Sequence, residues 1–108
     1  MNAERVRGHL GSMLLAVLES GPAHGYALSA ELRRRTDGEI VIAAGSLYPA
    51  LQRLETAGLV ASAWTDGDAR RRREYALTRE GRKALAQERA EWESFRNSVD
   101  AVLGGMPA

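Results

Sequence analysis

The chain has 108 residues, 44% of them hydrophobic and 27% charged, with a formal net charge of +1, which suits one compact globular domain and excludes a disordered chain. No apolar run is long enough to cross a bilayer, and residues 1–7 show no signal-peptide pattern, so we expect a cytoplasmic protein that does not contact a membrane. The absence of cysteine excludes zinc fingers, thiol redox centres and cysteine nucleophiles.

Two helices and a strand are predicted in the first part of the chain. Apolar residues at three- and four-residue steps predict a helix over Ala3–Glu19, which ends at Ser20-Gly21-Pro22. Its apolar stripe is broad enough to face both the core and a partner. The second helix covers Gly25–Arg35, with Tyr26 expected in the core. A β-branched triplet favours a short strand over Glu39–Ile42.

A third helix is predicted over Ala44–Ala57, and Gly58 ends it. Pro49 lies early in this helix, so we expect a local distortion without a break. The buried face is expected to carry Leu47, Leu51 and Leu54. The opposite, exposed face carries Gly45, Ser46, Tyr48, Pro49, Gln52, Arg53 and Thr56.

The remaining residues predict a β-hairpin followed by a long helix. Leu59–Thr65 and Arg72–Leu77 are extended runs, and Asp66–Ala69 between them favours a turn. The last helix covers Thr78–Leu103, and a glycine pair ends it. Gly81 in its first turns lowers its helix propensity.

Three helices, a two-stranded wing and a final helix form the pattern of a winged helix-turn-helix. The predicted fold class is therefore mainly α with a small β-hairpin. Residues 1–77 are expected to form the DNA-binding domain and residues 78–108 a C-terminal dimerisation helix, in one compact unit. The third helix would enter the major groove of double-stranded DNA, and the wing would lie over neighbouring phosphates. The predicted DNA-binding residues are Ser46, Tyr48, Pro49, Gln52, Arg53, Arg70, Arg71, Arg72 and Arg73.

Arginine accounts for fourteen of the fifteen basic residues, with runs at 33–35 and 70–73. A GC-rich genome also produces such a composition, so the clusters are more informative than the total. The run at 70–73 is either a phosphate-binding wing or a solvated loop, and strand alternation allows only some of its side chains to face the same way. The sequence likewise allows two roles for Tyr48, a core position or a contact with DNA.

Four blocks occur along the chain in a characteristic order. They are Met13-Leu14-Leu15-Ala16-Val17-Leu18, His24-Gly25-Tyr26-Ala27-Leu28, Gly45-Ser46-Leu47-Tyr48-Pro49-Ala50-Leu51 and Tyr75-Ala76-Leu77-Thr78. Together they resemble the PadR family of bacterial regulators, in its short subfamily with a single C-terminal helix. The resemblance covers nearly the whole chain and implies a repressor that binds a palindromic operator as a homodimer and releases it when an effector binds. It also implies that Tyr48 contacts the DNA backbone.

A heptad-like apolar stripe on the last helix predicts a partner helix. The expected dimer residues are Leu10, Met13, Leu85, Trp92, Phe95, Val99 and Val102. The resemblance implies that a tryptophan at the position of Trp92 pairs with its symmetry mate and flanks a pore for flat aromatic ligands. Arg96 stands where drug-binding members have an acidic residue, which favours neutral or anionic aromatic effectors, and the ligand set is then Ser12, Trp92, Phe95 and Arg96. The alternative is that Trp92 only packs.

Other functions find less support in the sequence. There is no nucleophile–base constellation, phosphate-cradling glycine loop or paired carboxylate site, so neither an enzyme nor a bound cofactor is expected. The only histidines, His9 and His24, show no ligand spacing, so no metal site is predicted. A protein-interaction module that uses this fold without DNA remains a third hypothesis, because four acidic residues lie near the proposed DNA face: Glu55, Asp66, Asp68 and Glu74.

Overall fold

A computed structural model describes residues 3–66 and 71–104 and shows five helices and three strands within them. The helices are α1 (Ala3–Arg7), α2 (Leu10–Leu18), α3 (Gly25–Arg35), α4 (Ala44–Thr56) and α5 (Arg79–Leu103). The strands are β1 (Ala23–His24), β2 (Val60–Asp66) and β3 (Arg71–Leu77). The mainly helical winged helix-turn-helix with a long C-terminal helix is therefore confirmed.

The first predicted helix is two helices, so its expected continuity was wrong. The chain leaves the α-helical conformation at Gly8 and His9, where His9 has φ −119° and ψ 2°. Glycine gains no side-chain packing and loses more backbone entropy than other residues in a helix, so a break is least costly there. Both segments keep their apolar sides inward, since Val6 before the break and Leu10 after it are buried.

Helices α3 and α4 have the predicted positions, but the strand predicted over Glu39–Ile42 is absent from the link between them. Side chains satisfy the backbone of this link. Thr36 Oγ1 accepts a hydrogen bond from the Ile40 amide at 3.0 Å, and Ser29 Oγ donates to the Ile42 carbonyl at 3.1 Å. Ile40 is buried in the core. Its β-branched side chain therefore serves packing without a strand partner.

The sheet has the order β1-β3-β2 and is antiparallel throughout. Strands β2 and β3 form the predicted hairpin, in register from Val60 opposite Leu77 to Asp66 opposite Arg71. Residues 67–69 of the predicted turn lie outside the described residues. Strand β1 was not predicted; it pairs with the other edge of β3, with His24 opposite Glu74. The wing is thereby joined to the residues that open α3.

Helix α5 begins in a close contact with the start of the wing. Thr78 caps it: its Oγ1 accepts from the Gly81 amide at 3.0 Å and donates to the Gly58 carbonyl at 2.7 Å. A Cβ at Gly81 would overlap the Leu59 carbonyl oxygen and lie 2.9 Å from Leu77 Cδ2. Glycine is thus required for this close approach.

The core lies where α2, α3, α4 and the sheet meet, and Leu14, Leu18, Leu28, Leu51 and Val60 are its most deeply buried side chains. Only the first part of α5 joins this core, through Gly81 and Leu85. Every residue from 86 to 98 is exposed, and the helix ends at Gly104 in the left-handed conformation with φ 77°. Among the residues described, no helix is both long and apolar enough to span a membrane.

Candidate nucleic-acid interface

The predicted recognition helix, α4, presents its polar side to solvent. Leu47, Ala50 and Leu51 are buried on the opposite side. The predicted contact residues on α4 are all exposed: Ser46, Tyr48, Pro49, Gln52 and Arg53. Pro49 is inside the helix without breaking it. This face therefore has the accessibility that base-edge contacts require.

Tyr48, for which the sequence left a core position and a DNA contact open, lies at the surface. Its side chain is 46% exposed, so it is not a core residue. Its hydroxyl nevertheless packs against the backbone at Gly25, where a Cβ would lie 2.5 Å from the hydroxyl oxygen. The absence of a side chain at Gly25 lets the ring rest against the start of α3, which holds it on the outer surface.

The wing arginines have different environments. Arg71 and Arg73 both place their guanidinium carbon 5.2 Å from the ring centroid of Trp64, within cation–π range. Arg72 lies on the other face of β3, with its Nη1 3.0 Å from His24 Nε2. The predicted alternation of the run is thus observed for these three. Arg70 lies outside the described residues.

One carboxylate links the wing to the recognition helix. Glu55 of α4 accepts a 2.7 Å hydrogen bond from Ser62 Oγ and lies 3.9 Å from the Arg73 guanidinium. Both ionic side chains are partly exposed, so this ion pair contributes little to stability. Its consequence is electrostatic: Arg73 is partly compensated by Glu55, whereas Arg71 and Arg72 contact uncharged groups.

A groove of about 530 Å³ lies between the start of α3, the start of α4 and the wing. Its lining is aromatic and cationic: His24, Gly25, Tyr26, Tyr48, Trp64, Arg71, Arg72, Arg73 and Tyr75. Tyr26 is 78% exposed, so its predicted core position was wrong. Arginine side chains and tyrosine hydroxyls are among the groups that contact sugar and phosphate in protein–DNA interfaces.

Sequence reasoning missed His24, Tyr26 and Trp64 as residues of this surface. Tyr26 was expected in the core and was not considered functional. His24 was considered only as part of a family block and as a possible metal ligand, and Trp64 only as a residue of the first hairpin strand. An aromatic residue directly across from an arginine in a predicted hairpin is the signal that identifies Trp64.

The second arginine run, 33–35, is a helix terminus and not part of the groove. Glu31 accepts hydrogen bonds from Arg34 at 2.6 and 2.9 Å and from Arg35 at 3.0 Å. The hydrogen bonds from Arg34 and then Arg35 lower the pKa of the Glu31 carboxyl to about 2. These cations also lie in the last turn of α3, where the helix dipole favours them.

A second cluster lies between α2 and α5. The His9 ring meets Trp92 edge-on with centroids 5.1 Å apart, and Phe95 lies 6.1 Å from Trp92. Ser12 Oγ donates to Glu88 Oε2 at 3.0 Å. The structure therefore brings three predicted ligand residues, Ser12, Trp92 and Phe95, to one side of the molecule. Arg96 follows on α5 and is exposed.

The predicted dimer residues divide into exposed and buried groups. Trp92, Phe95 and Val102 are 49%, 58% and 84% exposed, and Met13 and Val99 are half-buried. Leu10 and Leu85 are each only 3% exposed and belong to the core of the single chain. Leu10 of α2 and Leu85 in the first part of α5 therefore pack inside the single chain and are not available to a dimer face, for which the exposed and half-buried residues remain candidates.

Within residues 3–66 and 71–104, no three His, Cys, Asp or Glu side chains are grouped to hold a metal ion. His9 packs on Trp92, whereas His24 opens α3. The two histidines thus belong to different surfaces.

Comparison with known proteins places this architecture in a family. Residues 14–87 match the model of the transcriptional regulator PadR-like family. A transcriptional regulator of Mycobacterium tuberculosis is 40% identical over 82 residues, covering 76% of this chain and 71% of that protein. A PadR family transcriptional regulator from Eggerthella lenta is 39% identical with a TM-score of 0.81, covering 93% of this chain and 86% of its own. A transcriptional regulator from Clostridium thermocellum is 32% identical with a TM-score of 0.86, covering 92% and 97%. The chain therefore belongs to the PadR-like family of transcriptional regulators, a family of DNA-binding proteins.

Proposed function

We propose that this protein is a bacterial repressor that binds a palindromic operator as a homodimer and responds to a small aromatic effector. In this proposal residues 1–77 bind DNA and residues 78–108 supply the dimer contact. A regulator acting on a bacterial chromosome would work in the cytoplasm. The observation that carries the proposal is that two surfaces are adjacent: the exposed face of α4 adjoins the groove lined by aromatic residues and arginines.

The two surfaces suit different parts of a DNA duplex. Gln52 and Arg53 on α4 have the donors and acceptors that pair with adenine and guanine in the major groove. Arg71 and Arg72 on the wing are exposed and contact uncharged side chains, so their charge is available to phosphates. Base contacts would set sequence preference and the wing would set orientation.

The dimer proposal rests on the exposed part of α5. Trp92, Phe95 and Val102 form an apolar stripe on α5 whose side chains are each about half exposed or more, although Trp92 also contacts His9. Burying a large apolar side chain contributes about 1.5–3 kcal/mol, so covering three of them favours association. A two-fold axis near Trp92 would bring two copies of α5 together.

The effector proposal rests on the cluster around Trp92. An indole and a phenyl ring, both half exposed, adjoin the polar side chains of Ser12 and Glu88. Glu88 and Arg96 bring one charge of each sign to this region. We therefore propose an aromatic effector without specifying its charge.

The test is a DNA titration followed by fluorescence anisotropy, with fragments selected from the host genome. Affinity should fall steeply between about 50 and 200 mM salt. A double variant, Arg71→Ala with Arg72→Ala, should weaken binding to every sequence and reduce the salt slope by roughly one unit per lost contact. The matched control removes two exposed arginines of α5 that lie outside the groove, Arg79→Ala with Arg82→Ala. The lack of salt-dependent binding to any DNA fragment would favour the protein-interaction hypothesis instead.

A further inference from the structure

His24 stands at a junction between the wing and the helix-turn-helix. Its backbone belongs to β1 and lies opposite Glu74 of β3, and its side chain is at the N-cap of α3. Arg72 is two residues before Glu74 on β3, so it faces the same side of the sheet as His24. From this juxtaposition we infer that His24 is a positioning residue that holds Arg72 in place to bind a DNA phosphate. The inference rests on the proposed function.

The chemistry of the imidazole ring supports this role. Its Nε2 lies 3.0 Å from Arg72 Nη1, and its Nδ1 lies 3.4 Å from the Ala27 amide nitrogen. Both neighbours are N–H donors, and a neutral imidazole has one acceptor nitrogen at a time. The shorter distance is within the usual range for N–H donors and the longer one is outside it. The geometry therefore favours the tautomer whose Nε2 accepts from Arg72.

An uncharged acceptor is suited to positioning an arginine that must still bind phosphate. A carboxylate partner would compensate the guanidinium charge, as Glu55 partly does for Arg73. The imidazole instead orders the Arg72 side chain and leaves its positive charge intact. An ordered side chain loses less conformational entropy when it meets the DNA, so binding is tighter than with a freely moving arginine.

Two substitutions separate this role from the helix cap. In His24→Asn, the side chain can cap α3 by accepting from an amide of its first turn, but it is too short to reach Arg72. In His24→Gln, the longer side chain brings a carbonyl oxygen toward Arg72 as an acceptor. Each variant is measured with and without Arg72→Ala, using a fluorescein-labelled duplex of random sequence across a salt series. Thermal unfolding by circular dichroism reports whether the fold is retained.

We expect His24→Asn to weaken binding by about 3- to 10-fold, in line with the entropy of one ordered side chain. His24→Gln should lie closer to the wild type. In the Arg72→Ala background, His24→Asn should have no further effect, because the group it positions is absent.

Losses that simply multiply in the double variant would overturn the inference, as would equal losses in the asparagine and glutamine variants. A wild type that binds the duplex, with His24→Asn binding equally well, overturns the role of His24 and leaves the proposed function standing. A wild type that shows no salt-dependent binding refutes the proposed function, and the role of His24 falls with it.

Discussion

Replacing Gly81 with alanine tests the packing that sets the direction of α5. The added methyl group would overlap the Leu59 carbonyl oxygen and lie 3.0 Å from the carbonyl carbon of the same residue. These are backbone atoms, so rotation of a side chain cannot relieve the overlap. The same carbonyl accepts a 3.1 Å hydrogen bond from the Thr78 amide, so moving it away weakens the cap of α5.

The expected size of the effect follows from three contributions. Overpacking of this kind costs about 1–3 kcal/mol, and a weakened hydrogen bond costs about 1 kcal/mol. Alanine has a helix propensity more favourable than glycine by about 1 kcal/mol, which opposes both. The net free energy of unfolding should fall by about 1–3 kcal/mol. For a chain of this size that lowers Tm by roughly 5–20 °C.

Gly45→Ala is the matched control, because Gly45 is also a helical glycine and nothing lies within 4 Å of a Cβ built there. It should raise the free energy of unfolding by up to about 1 kcal/mol through helix propensity alone. Both variants are compared with the wild type by thermal and urea unfolding at one protein concentration, because association would make Tm concentration-dependent. A Gly81→Ala protein at least as stable as the wild type would refute the argument for close contact.

Three further predictions concern the two surfaces. Gln52→Ala should relax the sequence preference at one base position of each half-site, with a loss of about 1–3 kcal/mol of discrimination. Unchanged sequence selection from a randomised operator library would show that Gln52 does not contact a base. Phe95→Asp should give a monomer in sedimentation, whereas Ala90→Asp, about 140° around the same helix, should not; equal sedimentation of both variants would contradict the proposed seam. Trp92→Ala should keep the dimer but lose the response to aromatic compounds. In a Trp64→Phe protein that retains Trp92, the fluorescence of Trp92 should be quenched by planar aromatic compounds. If no compound of a broad panel quenches it, Trp92 has only a packing role.

The sequence predicted those elements whose cause is local. Helices α3, α4 and α5 have strong apolar periodicity and clear end residues, and their observed bounds agree with the prediction within about a residue or two. The hairpin likewise follows from two extended runs around a turn. The exposed face of α4 was predictable because its leucines define the buried face, so the residues on the opposite side face solvent.

The missed features have tertiary causes. Strand β1 has only two residues, so no alternation precedes it, and it exists because β3 has a free edge beside it. The segment 39–42 has strand-like side chains but no neighbouring edge, and its backbone is satisfied by Thr36 and Ser29. The role inferred for His24 depends on the same pairing, which brings Arg72 to it from 48 positions along the chain. The spacing of residues along the sequence does not reveal such a contact.

The length of α5 gives the proposed dimer a mechanical property. The helix has 25 residues and is held to the DNA-binding part through the core at Gly81 and Leu85 and through α2 contacts as far along as Trp92, so the two move together. For a rod of this length, about 37 Å, a tilt of about 5° about one end displaces the other end by about 3 Å. That displacement is close to the rise of one base pair, about 3.4 Å. A change in the crossing angle of two such helices too small to disturb either core would therefore shift the two α4 helices by one base step along the operator.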